Sequence, residues 1–222
     1  MYDAKVKGYK ADIIKLENGA DAIFVRAGDL DSSKKHPMIT LLHGGPFGAA
    51  PYHMFLSLRN FFLLNGYCLL IANYRGSTGY GDKFLNALLG TIGVVDVDDC
   101  ANLTQKALAQ FPDLVDPKRL GVYGGSHGGF LTGALIGHPE YKNLWSASAL
   151  WNPVLDMTYN LNATDIPDWV IACALNKELD FANISAEDRA LIYERSPTSS
   201  VHRVKTPALF LIGDSDKRVP PH

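Results

Sequence analysis

Leu120-Gly121-Val122-Tyr123-Gly124-Gly125-Ser126-His127-Gly128-Gly129-Phe130 sets the architecture of this chain. A short β-branched and aromatic run enters a Gly-x-Ser-x-Gly turn, and Phe130-Leu131-Thr132-Gly133-Ala134-Leu135-Ile136 leaves it as a run fit for a buried helix. The order is strand, sharp turn, helix. Such a turn is strained and needs residues without bulky side chains on both sides, which Gly124, Gly125, Gly128 and Gly129 supply. Ser126 is thereby presented at the carboxyl end of a strand, and the helix that starts there aims its backbone N–H groups at any anion formed beside it. A serine hydroxyl is a poor nucleophile until a base removes its proton, so the arrangement suits acyl transfer. A glycine-rich turn with an incidental serine is the plainer alternative that the pentapeptide leaves open.

The 222 residues are 47% hydrophobic and 20% charged, enough apolar material for one sizeable core without a second domain. A formal net charge of -2 gives no electrostatic reason to expect nucleic acid or an anionic membrane as partner. Cys68, Cys100 and Cys173 are odd in number and far apart, with no Cys-x-x-Cys spacing, and read as reduced thiols of a cytoplasmic protein. Cys68, inside Tyr67-Cys68-Leu69-Leu70-Ile71, serves as a small apolar filler. Met1-Tyr2-Asp3-Ala4-Lys5 lacks the apolar run of a signal peptide, and no stretch approaches membrane-spanning length. Neither a metal site nor a cofactor is expected.

From the amino terminus, antiparallel edge strands are predicted around Asp12 to Leu16 and Ala22 to Arg26. Met38 to Leu42 is a strand covered on both faces, and it ends in His43-Gly44-Gly45-Pro46. The two glycines let the backbone approach a ligand closely. The Gly45 N–H can then face the same anion as the His127 N–H, making the second half of an oxyanion hole, against the plainer reading of a turn leaving a core strand. His43 reads as a brace for that loop rather than a base. A helix follows from Tyr52 to Leu64, then a strand from Tyr67 to Ala72. The loop from Asn73 to Gly81 reads as a shaped wall beside the active face. Asp96 to Gln110 is a helix with Asp96, Asp98 and Asp99 at its positive end, as complements to the dipole rather than metal ligands. Pro112-Asp113 and Asp116-Pro117 connect it to the serine-bearing strand, and Trp145 to Leu150 is the next strand. From Trp151 to Ser200 there is no strand signal, only aromatic and helix-prone pieces suited to a cap or pocket wall. Alternating strands and helices predict parallel βαβ units. Ala208 to Gly213 is the last core strand, and Asp214 or Asp216 beyond it stands where an acid can hold an imidazole.

The base is the missing part. Hydrolases of this strand order take the triad as Ser, acid, His along the chain. Only His222 follows Asp216, too close along the chain to reach back over Ser126. His202 precedes the acid, and the His127 side chain should point away from its neighbour. A further strand and helix normally cover the sheet beyond Pro220. The simplest account is a C-terminally truncated catalytic domain spanning residues 1–222; the competing one is a naturally inactive relative.

Through His43-Gly44-Gly45-Pro46, Asn73-Tyr74-Arg75-Gly76-Ser77-Thr78-Gly79-Tyr80-Gly81, Gly124-Gly125-Ser126-His127-Gly128-Gly129-Phe130 and Gly213-Asp214-Ser215-Asp216-Lys217-Arg218-Val219-Pro220, the chain resembles the catalytic domain of the prolyl oligopeptidase family. Asn152-Pro153-Val154 and Thr164-Asp165-Ile166-Pro167-Asp168-Trp169 look like the acylaminoacyl-peptidases within it. The resemblance implies an α/β-hydrolase fold, a mostly parallel sheet with helices on both faces. It implies Ser126 as nucleophile, Asp216 rather than Asp214 as triad acid, and the Gly45 and His127 N–H groups as oxyanion donors. It also implies an acyl-enzyme on Ser126, short N-acylated peptides as substrates, a β-propeller before this domain and homo-oligomeric assembly of the full-length protein. No substrate-binding residue is assigned. The alternatives are a dipeptidyl-peptidase-like enzyme or carboxylesterase of the same fold, or an inactive interaction module.

Overall fold

The computed structural model describes residues 8–50 and 56–221. Among these, strands β1 (Tyr9–Lys15), β2 (Asp21–Ala27), β3 (His36–Leu42), β4 (Cys68–Asn73), β5 (Val115–Gly125), β6 (Ala147–Trp151) and β7 (Ala208–Leu211) form one sheet in the order β1-β2-β4-β3-β5-β6-β7. β2 runs antiparallel to both β1 and β4, and every pair from β4 to β7 is parallel. The helices are α1 (Leu56–Leu64), α2 (Asp82–Asn86), α3 (Val95–Gln110), α4 (His127–Gly137), α5 (Met157–Ala163), α6 (Asp168–Leu175) and α7 (Ala186–Glu194).

The central strands are apolar on both faces because both faces are covered. Alternation along β4 sends Cys68, Leu70 and Ala72 to one side, where they join Met38, Leu42 and Val122, Val97 and Leu103 of α3, and Phe130 and Leu131 of α4. Leu69 and Ile71 point the other way, packing with Ile39, Leu41, Val25 and Leu63 of α1. Burying each such leucine or isoleucine contributes roughly 1.5–3 kcal/mol. Helix α4, apolar all round, is buried along nearly its whole length, which fixes the start of that helix against the sheet.

Several sequence expectations need correcting. Of the two N-terminal strands only β1 is an edge, because the free side of β2 is taken by β4. β5 begins at Val115, so Asp116-Pro117 lies within the strand: His36 pairs with Val115 and Met38 with Leu120, and the residues between bulge outward. Helix α2 was not foreseen. The helix expected from Tyr52 starts, in the described residues, at Leu56. Among the described residues β7 pairs with β6 alone, and Leu209, Phe210 and Leu211 are exposed, as is Ile212 after them. All three cysteines are free and buried, and burial pushes the Cys68 and Cys173 thiols up to about 12, so neither is a thiolate at neutral pH. Among the described residues no helix is long and apolar enough to cross a membrane.

Candidate active site

Ser126 sits between the last residue of β5 and the first of α4, with φ 55° and ψ -122°. A non-glycine residue with positive φ stores about 1–3 kcal/mol of strain and persists only when its surroundings hold it. Both sides of the turn do so. The Ser126 N–H donates to the Trp151 carbonyl at 2.9 Å, and its own carbonyl accepts from Phe130 N–H at 3.0 Å. Gly124 and Gly128 are required by space: a Cβ on Gly124 would lie 2.2 Å from the Gly128 carbonyl oxygen, and one on Gly128 would lie 2.2 Å from that of Leu42. The half-buried Ser126 lines a pocket of about 270 Å³ together with Gly45, His127, Val154, Ile166, Trp169, Arg218 and Val219.

Gly45, at φ 54°, lies on the loop leaving β3, and the same loop passes so near the elbow that a Cβ on Gly44 would be 3.1 Å from that of Ser126. His43 holds this loop from behind. It is fully buried, stacked on Tyr74 with ring centroids 4.4 Å apart. Its Nε2 is 2.9 Å from the Ser77 hydroxyl and its Nδ1 3.1 Å from the Gly44 carbonyl, while the Tyr74 hydroxyl donates to the His43 carbonyl at 2.8 Å. A ring with Nδ1–H donating and Nε2 accepting satisfies all of these contacts as a neutral imidazole. The Asn73–Gly81 segment therefore buttresses the loop leaving β3, with Thr78 N–H donating to the Gly48 carbonyl at 2.7 Å, and does not line the pocket as the sequence suggested.

Burial pulls the His43 pKa down to about 4 from the ordinary 6.5. The unfolded chain takes up this proton first as pH falls, so the contribution to stability is fully present above about 6.5 and is lost progressively down to about 4. The expected loss is about 3 kcal/mol across that window. Urea unfolding at pH 4 to 7 should show the wild-type free energy falling by that much more than in His43→Gln; parallel curves would refute it.

His127 turns its ring inward, as expected for the residue after the serine. Its Nε2 lies 3.1 Å from Asp96 Oδ2 with both side chains buried, and the ring stacks on Phe130. Asp96 is thus more than a dipole complement. Asp99 likewise: it is buried and receives a two-pronged ion pair from Arg75 Nε and Nη2, each at 2.8 Å. Asp98, by contrast, accepts from the Tyr141 hydroxyl at 3.1 Å. The chain gave no local signal for these pairings, which join residues 24 to 43 positions apart.

Asp214 and Asp216 separate clearly. Asp214 is exposed, touched only by the Ser215 hydroxyl at 3.4 Å. Asp216 is half-buried and accepts the backbone N–H groups of Val219 and Arg218 at 2.9 and 2.8 Å and the carboxamide of Asn152. Those donors, the Val219 N–H foremost, hold its carboxyl below the usual range. Ile166 and Trp169 of the pocket wall are clipped to the same loop, since Arg218 pairs with Asp165 and Thr164 Oγ1 donates to the Arg218 carbonyl at 2.7 Å. Among the described residues no histidine ring meets Ser126 Oγ: His43 and His127 are engaged behind the elbow, His36 is held by the Gly66 and Asp31 carbonyls, His138 stacks on Tyr141, His202 lies beside Arg203 on the surface, and His53 and His222 are outside the described residues. A cleft of about 250 Å³ between α4 and α7 contains Arg195 and Arg203, but both guanidinium groups are occupied by backbone carbonyls of Gly90 and Gly137.

A mostly parallel sheet in this order, with a serine held at positive φ between its central strand and a buried helix, defines an α/β-hydrolase. The chain belongs to the prolyl oligopeptidase family, whose model matches residues 54–222. It is 41% identical over 206 residues to the acylamino-acid-releasing enzyme of Arabidopsis thaliana, covering 92% of this chain and 26% of that protein. The enzyme of the same name from Mus musculus is 33% identical over 205 residues, covering 90% and 27%. The chain thus spans about a quarter of the length of the curated relatives it matches. An acylaminoacyl peptidase solved in complex with Z-Gly-Gly-Phe-chloromethyl ketone superposes with a TM-score of 0.83 at 23% identity, over 96% of this chain and 33% of that one.

Proposed function

We propose that this chain is the catalytic domain of a serine peptidase that releases an N-acylated amino acid from the blocked end of short peptides. The observation that carries the reading is Ser126, strained at the elbow and lining one pocket with Gly45 and His127. Ser126 Oγ attacks the carbonyl that follows the acylated residue. The charge on the carbonyl oxygen is taken by the Gly45 and His127 N–H groups, each such donor contributing about 3 kcal/mol to the transition state. Asp216 orients the imidazolium that receives the serine proton and passes it to the leaving peptide amine as the C–N bond breaks, and water then hydrolyses the acyl-enzyme to free the N-acylated amino acid.

In this reading the proton acceptor is a histidine of the intact enzyme, and the exposed Leu209, Phe210 and Leu211 of β7, with Ile212 after them, offer an apolar edge for a further element to cover. The pocket favours an acylated over a free amino end: its one charged lining residue is Arg218, already paired with Asp165, and no carboxylate lines it to receive an ammonium group. The apolar wall of Val154, Ile166, Trp169 and Val219 suits a small uncharged group.

In the 222-residue chain turnover should be weak, because oxyanion and binding effects are what remain without the base. Added imidazole stands in for the absent side chain. Incubation with a fluorophosphonate should modify Ser126 slowly, faster by about tenfold or more with imidazole, and not at all in Ser126→Ala, as read by peptide mass spectrometry. Failure of imidazole to promote an adduct on Ser126 overturns the enzyme reading. Faster imidazole-assisted hydrolysis of alanyl than of acetyl-alanyl p-nitroanilide overturns the substrate class alone.

A further inference from the structure

Asn152 is the residue after β6, and it is one of three non-glycine residues with positive φ among those described, at 40°. Its backbone N–H and both ends of its carboxamide reach towards β7 and the loop that carries Asp216. Its backbone N–H donates to the Leu211 carbonyl at 2.8 Å, continuing the β6–β7 ladder past its last residue pair. Its Oδ1 accepts the Gly213 N–H at 2.8 Å, and its Nδ2 donates to Asp216 Oδ2. The other oxygen of that carboxylate is saturated by the Arg218 and Val219 N–H groups. One carboxamide therefore ties Gly213, just past β7, to the acid three residues further on.

The same residue is chained to the nucleophile. Trp151, directly before it, accepts the Ser126 N–H, and Val154, two residues after it, lines the Ser126 pocket. The segment 151–154 thus bridges the elbow and the acid loop through hydrogen bonds, and Asn152 is its contact on the acid side. Asparagine fits twice over: it tolerates positive φ, and its amide offers one donor and one acceptor at a fixed separation. Aspartate would share the backbone tolerance but set a second carboxylate against Asp216, and glycine would give the turn without the clamp.

We infer that Asn152 is a positioning residue that fixes the carboxylate of Asp216 relative to Ser126. This rests on Asp216 being the acid of the triad, so the test separates the two. Asn152→Gly keeps the backbone conformation and removes the carboxamide, and Asn152→Asp keeps the acceptor for Gly213. In both, the carboxyl titration of Asp216, followed by NMR in protein labelled with ¹³C-aspartate, should move upward toward the ordinary carboxylate range. Protection of the Gly213 amide from exchange should fall on the order of tenfold in Asn152→Gly and be retained in Asn152→Asp. Imidazole-assisted labelling of Ser126 should slow about tenfold in both. An Asp216 titration unchanged in Asn152→Gly overturns the clamp. A shifted titration with labelling at the wild-type rate overturns its positioning role. If Asp216→Asn itself labels at the wild-type rate, the failure lies with the triad assignment, and Asn152 then has nothing to position.

Discussion

Gly128→Ala should cost the protein about 3 kcal/mol or more of unfolding free energy, lowering the melting temperature by roughly 6–12 °C. The added methyl would lie 2.2 Å from the Leu42 carbonyl oxygen, 2.9 Å from its carbon and 3.1 Å from the His43 carbonyl oxygen. These are backbone atoms of the strand end that delivers the oxyanion loop, so no side chain can turn aside. The Gly128 carbonyl is itself what a Cβ on Gly124 would strike, and moving α4 off β3 therefore opens the elbow as well. Two companion variants show that position decides the outcome. Gly125→Ala meets nothing nearer than 3.4 Å and should stay within about 1 kcal/mol of wild type. Gly45→Ala has open space but a φ of +54°, and should lose about 1–2 kcal/mol through backbone strain alone. Circular dichroism melts of the three rank them. A Gly128→Ala melt within 2 °C or so of wild type would mean that α4 does not rest on the end of β3.

These close approaches explain which parts were legible in the chain. Glycines at 124, 125, 128 and 129 around a serine leave a local mark because the constraint is local, and the alternation of apolar runs announced the parallel sheet that presents them. His43 could be read as a brace because it directly follows a buried strand. What joins distant positions left no such mark. Asp96 looked like any acid in a first helical turn, and its pairing with His127 appears only once α3 and α4 lie side by side against the sheet. The loop after β4 was read as a pocket wall because its glycines and aromatics suit one, yet Tyr74 and Ser77 are spent on His43 instead. Pro117 masked the beginning of β5, since a proline argues against a strand interior and the bulge that accommodates it is invisible in sequence. Asn152 stands in a family motif, but its contact to Asp216, 64 positions away, has no local mark in the chain.

The buried Asp96–His127 pair carries the other large expectation. Asp96 Oδ1 accepts the N–H groups of Gly93 and Val97 at 2.8 and 3.0 Å, and Oδ2 faces His127 Nε2. The remaining ring nitrogen, Nδ1, is buried with no partner among the described residues, where Asp96 supplies the ring's one hydrogen bond. Asp96→Ala strips that bond and orphans two amides at once, and should cost about 3–5 kcal/mol. Asp96→Asn should cost less, about 1–3 kcal/mol. The amide keeps an oxygen for Gly93 and Val97, but its NH₂ can meet Nε2 only if the ring proton moves to Nδ1, where nothing receives it. If the His127 N–H serves as the proposed helix-side oxyanion donor, freeing this ring should also slow imidazole-assisted labelling of Ser126 on the order of tenfold, in the order wild type, Asn, Ala. Urea unfolding and labelling rates measured on the same preparations check both. If Asp96→Ala unfolds within 1 kcal/mol or so of wild type, the ring has another way to be satisfied and Asp96 does not anchor the elbow.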